Sequence, residues 1–208
     1  MDKHTIDNLI KIGKNYFGES FSFNPKNNIF RSSSNFQSKA INIRKNERIP
    51  IKVINWFDDI WVYIEIKFIP TPDKKAFPNT FFSLSIFQGG DDDDEKTQLF
   101  RAEWDNYNEK KNSHSQPHWH IYPHKYKIKV HQDFEDFLEL TEQDEDFLSY
   151  KENDKNLVEI NKFHFAMNGQ WSENNSEFHS ISEEKDLINW FGGLLNHIKM
   201  ELKYIKEQ

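Results

Sequence analysis

The stretch QPHWHIYPH, residues 116–124, carries three of the chain's nine histidines. In an extended strand successive side chains leave on opposite faces, so His118 and His120 project together while Trp119 and Ile121 turn away. Their Cα atoms are then about 6.5–7 Å apart, a span that two imidazoles can close onto one ion. Two other segments offer polar groups in matching phase. In LFRAEWD (99–105) Phe100, Ala102 and Trp104 form an apolar face, and Arg101, Glu103 and Asp105 occupy the other. In FHFAM (163–167) Phe163, Phe165 and Met167 face a core, leaving His164 and Ala166 outward. If the three strands are neighbours, Arg101, Glu103, Asp105, His118, His120 and His164 share one sheet face. Such a set, with His118, His120 and His164 as ligands, suits a divalent transition metal: zinc, manganese or iron. The ion would activate bound water as a nucleophile. Glu103 would serve as ligand or general base, and Arg101 would grip an anionic substrate with its planar fork.

No further half of a signature completes the His-x-His pair. The H-E-x-x-H pattern, a Gly-rich phosphate loop and G-x-S-x-G are all missing. Asp59 with Glu65-Ile66-Lys67 has the residue types of an acid plus E-x-K nuclease centre. On one strand, however, Asp59 and Glu65 stand about 20 Å apart, too far for a shared ion. The four aspartates 91–94 lack the spaced ligands and central Gly of an EF-hand loop and read as a solvated hairpin tip. His197 falls among core positions of the last helix and reads as structural, while His114 and His131 read as exposed. His124 shares the phase of the pair, but Pro123 can break the register.

The elements that must hold these residues follow from periodicity. Ile6, Leu9, Ile10, Tyr16 and Phe17 make one helical stripe over residues 3–17, with Gly18 as its stop. Residues 19–48 show no sustained period, and the SSSN cluster within them reads as loop. Strands are expected at 49–56 and 60–68, joined by Phe57-Asp58-Asp59, and at 80–87 and 97–104 around GGDDDDEK. In the second strand Ile60, Val62, Ile64, Ile66 and Phe68 form one face. Trp61 and Tyr63 form the other, expected to pack beneath the C-terminal helix. HWHIY is short and bracketed by prolines, KYKIKV (125–130) continues it, and KFHFAM (162–167) is a further strand. Residues 131–148 are expected to be helical with an acidic opposite face. Ser180 to Glu183 matches a capping box, after which Leu187, Phe191, Leu194, Leu195, Ile198, Leu202 and Ile205 step helically through 181–206. The result is a single α+β domain: an antiparallel sheet of about five to seven strands, within a β-rich body over 49–168, and helices at both ends.

Hydrophobic content is only 36%, but nineteen Phe, six Trp and seven Tyr supply ring area for a core. A net charge of −7 does not favour nucleic acid as a partner. Without cysteine, disulfides, thiolate metal sites and thiol nucleophiles are excluded. With no signal peptide and no apolar run to span a membrane, the expectation is a cytoplasmic protein, and the Asn, Lys and Ile usage suggests a bacterial one. Two functions fit. One is an interaction subunit of a multi-protein system, with a protein partner or a second copy meeting the acidic segment 133–146. The other is a metal-dependent hydrolase built on the His-x-His pair.

Overall fold

The computed structural model describes residues 3–44, 47–73, 76–105, 116–122, 158, 160, 163–165 and 181–207. The chain runs α1 (Lys3–Phe17), β1 (Ser22–Lys26), β2 (Ile29–Ser33), β3 (Gln37–Arg44), β4 (Glu47–Phe57), β5 (Ile60–Ile69), β6 (Asn79–Gln88), β7 (Thr97–Asp105), β8 (His118–Ile121) and α2 (Glu184–Lys206). The α+β class is as expected, and the described residues hold eight strands, slightly more than the sequence implied. The excess comes from β1, β2 and β3, which fall where the sequence shows no sustained period. Asn27 and Asn28 make the two-residue turn between β1 and β2, at φ 53° and 60°, a left-handed pair that asparagine tolerates better than most residues.

The strands pair in the order β1-β2-β5-β6-β7-β8, all antiparallel. β4 joins β5 only through Ile54–Phe57, and its earlier residues pair with β3 alone. Two apolar layers result. On the first face Ile60, Val62, Ile64, Ile66 and Phe68 of β5 are buried with Phe82, Leu84 and Ile86 of β6. Both helices cover that face. Ile6, Leu9 and Phe17 come from α1, and all seven residues expected of the last helix come from α2. The second, smaller layer holds Trp61, Tyr63 and Phe87, covered by Ala40 and Val53. Trp61 and Tyr63 therefore lie beneath the β3–β4 hairpin and not beneath a helix. The Val, Ile and Phe side chains on the other face of β5 already take both helices.

Local chemistry sets the ends of these elements. Gly18 adopts φ 87° and donates its N–H to the Lys14 carbonyl at 3.0 Å, closing α1 as anticipated. The cap of α2 begins later than the capping box predicted. Asp186 reaches back to the N–H groups of Ser182 and Glu183 at 2.9 and 3.1 Å, making Glu183 the N-cap. At the far end of α2, Lys206 binds Asp58 and Asp59 at the β4–β5 turn, which ties the helix to the sheet. The aspartates of the β6–β7 tip are exposed, as expected. Beneath them Lys96 is buried, bonded to the Ser38 hydroxyl and the Asp93 carbonyl and lying 4.5 Å from the centre of the Trp61 ring.

Residues 125–130, the acidic segment 131–148, and His114, His124 and His131 lie outside the described residues. Among the described residues no helix is long and apolar enough to cross a membrane.

Candidate metal centre

β7 and β8 pair in antiparallel register, with Glu103 opposite His118 and Arg101 opposite His120. A polar row crosses the second face of the sheet as a consequence. Arg31 pairs with Glu65, Glu65 with Ser83, Ser83 with Glu103, and Glu103 with His118. The next row runs Tyr63, Ser85, Arg101, His120. Strand parity places these side chains as the alternation in LFRAEWD and HWH implied.

β8 is held from its other face. Trp119 packs on Phe100, Phe163 and Phe165, with ring centres 5.7, 6.3 and 5.0 Å away. The His197 ring of α2 stands 6.3 Å from the same indole and 5.7 Å from Phe163. One aromatic anchor in the core thus orients the two histidines that flank it in sequence.

Glu103, His118 and His120 form a group that can hold a metal ion. The Nε2 atoms of the two imidazoles are 2.8 Å apart, and the Glu103 Oε2 lies 3.0 Å from that of His120 and 3.6 Å from that of His118. Donor atoms bound to one ion at about 2.0–2.2 Å stand roughly 3.0–3.5 Å from each other, so the three spacings fit with shifts of a few tenths of an ångström. Protons satisfy the cluster less well. A neutral imidazole has one N–H, and no placement of it turns all three contacts into hydrogen bonds. A cation at the centre would be met by a lone pair from each.

Glu103 is 7% exposed, and both imidazoles are half-buried. Burial alone would raise its pKa. The imidazoles of His118 and His120 beside it and the charge of Arg101 outweigh burial and hold the carboxyl far below the usual range. It stands ready as an anionic ligand.

The structure puts Arg101 in a different place from a substrate grip. Its side chain is buried, with Nη1 donating to the Ile43 carbonyl at 2.7 Å and Nε 2.9 Å from the Glu103 Oε1. That second contact is an ion pair whose N–H is not aligned for a hydrogen bond. Charge, more than a directed bond, holds the carboxylate against the guanidinium. His164 also departs from expectation. Phe163 and Phe165 pack on Phe100 in the first-face core, but no strand forms there. His164 instead bonds Glu201 of α2 at 3.0 Å, on the helix side of the sheet and away from Glu103, His118 and His120. The expected three-strand convergence reduces to two strands. Asp105 continues the phase of Glu103 along β7 but stands outside the ligand group.

Sequence reasoning missed Tyr122. It follows His118 and His120 at the same two-residue step, and its hydroxyl donates to the Ile43 carbonyl at 2.8 Å. That carbonyl therefore takes both Arg101 and Tyr122, while the Ile43 N–H donates to Gln98 at 2.7 Å. The strand parity of H-x-H-x-Y was the available signal.

No protein-family model, no curated protein and no solved structure matches the chain. The reading of the site therefore rests on its own geometry.

Proposed function

We propose that Glu103, His118 and His120 bind a divalent transition-metal ion, zinc, manganese or iron, and that the chain is a metal-dependent hydrolase. The observation that carries this is the meeting of two imidazole nitrogens and one carboxylate oxygen within 3.6 Å of each other. Nitrogen-rich ligation favours these metals over calcium or magnesium, which prefer oxygen. Among the described residues the group has three ligands, the number characteristic of catalytic centres, whereas structural zinc is closed by four. When bound, such an ion polarises a carbonyl or phosphoryl oxygen and lowers the pKa of its water toward neutrality. Burying a carboxylate and a guanidinium costs several kcal/mol of desolvation. A plain interaction subunit gains nothing from setting that pair beside two histidines, which is why the metal reading is preferred.

The test is metal content after purification without a histidine tag, followed by calorimetric titration with zinc. Wild-type protein is expected to take about one equivalent per chain. The double variant His118→Ala plus His120→Ala, if folded by circular dichroism, is expected to take none. Equal and negligible metal in both proteins rejects the reading.

A further inference from the structure

The bound ion's remaining partner can be deduced from the charge around it. This inference rests on the metal reading and adds the class of ligand. Arg101 is placed away from solvent and substrate, its side chain buried with Nη1 on the Ile43 carbonyl and Nε against Glu103. Its charge acts inward. Glu103 is the anionic member of the ligand group, and Arg101 lies against one of its two oxygens at 2.9 Å. The other oxygen faces the histidines. Two effects follow. The carboxylate is offered through one oxygen, which leaves coordination positions open. The ligand set is also neutralised, since histidine binds metal as the neutral imidazole. Glu103 and Arg101 cancel, and among the described residues no further carboxylate joins the group to offset the two positive charges of the ion.

We infer that the centre takes an oxyanion as its exogenous ligand, a carboxylate or a phosphate ester bound to the metal, and that Arg101 is the positioning residue that makes it do so. In this arrangement the anion binds the ion and Arg101 raises the ion's affinity for it from behind. The setting adds to this. Arg44 and Arg31 share the single carboxylate of Glu65 in the same polar row, at 3.3 and 3.1 Å, so two guanidinium groups there meet one carboxylate. Arg44 is also partly exposed and lies over the Phe81 ring.

The experiment uses cobalt(II) as a spectroscopic ion. The visible bands of the cobalt-loaded full chain are followed while azide, acetate, inorganic phosphate or neutral dimethyl sulfoxide is added. Wild type is expected to show saturable changes with the anions and none with the neutral ligand. Stronger binding of phosphate than acetate identifies a phosphoryl substrate, and the reverse a carboxylate. Arg101→Met is expected to bind cobalt as well as wild type or better, while its azide affinity falls about tenfold or more. Arg101→Lys keeps the charge and is expected to recover most of that loss. Should Arg101→Met not fold, the comparison of anion with neutral ligand on wild type still decides. A wild type that takes no cobalt overturns the metal reading together with this inference. Cobalt binding with equal response to anion and neutral ligand, or with azide affinity unchanged in Arg101→Met, overturns the inference alone.

Discussion

At the scale of single residues, Glu103 is where burial and charge are most opposed. Its carboxyl is buried, yet two imidazoles and a guanidinium keep its pKa well below the ordinary carboxylate range. A depressed pKa in the folded state means that the group binds its proton more readily when unfolded. Its stabilisation is therefore complete above the unfolded value of about 4.3 and is lost as pH falls toward the folded value. Glu103→Gln removes this contribution and leaves Arg101 buried without its counter-charge, an expected loss of about 3–5 kcal/mol at neutral pH. In urea melts taken from about pH 7 down to about pH 3, wild type should lose stability more steeply than the variant below the unfolded pKa. The difference should approach one proton, about 1.4 kcal/mol per pH unit. Parallel curves for the two proteins would remove the electrostatic account of this residue.

Among the elements, the packing of α1 gives a contest of known sign. Gly13 lies inside that helix, where alanine would be favoured by about 1 kcal/mol on propensity alone. A Cβ at that position would run into the ring of Phe21, which is itself 1% exposed. Overpacking of this kind costs about 1–3 kcal/mol, so Gly13→Ala is expected to lower the thermal midpoint. A rise would show that the ring can move. The same scale explains what could be read without coordinates. β5, β7 and α2 carry apolar residues at strict strand or helix spacing, and their buried faces were legible for that reason. β2 and β3 were not. Their buried positions are Ser32, which shares the face of Phe30, and Ala40 and Asn42 on the second face of the sheet, where Asn42 meets polar groups. Ser32 accepts the Ile64 N–H, and Asn42 accepts from Gln98 and Ser85. A strand that faces a polar interior shows no apolar alternation. His164 misled for a related reason: period two in its sequence reflects Phe163 and Phe165 entering the core, without a ladder to carry the histidine round.

For the whole molecule, one sheet has two apolar layers, and β5 contributes to both through alternate residues. Neither layer can open without the strand that serves the other. Urea unfolding followed by tryptophan emission and by far-ultraviolet circular dichroism is therefore expected to give coincident curves. A separate early change in emission, with Trp61 and its hairpin released first, would contradict this. The hairpin's attachment has a consequence for variation. It is fastened at Ile43 to Arg101 and Tyr122 through a carbonyl oxygen and to Gln98 through an amide hydrogen, atoms that every residue except proline supplies in full. Side-chain identity at position 43 can thus drift without loosening the clasp. Adding or deleting one residue in β3 would instead swing that oxygen toward the opposite edge of the strand. Among descendants of this chain, selection should hold the length of the hairpin more tightly than its spelling.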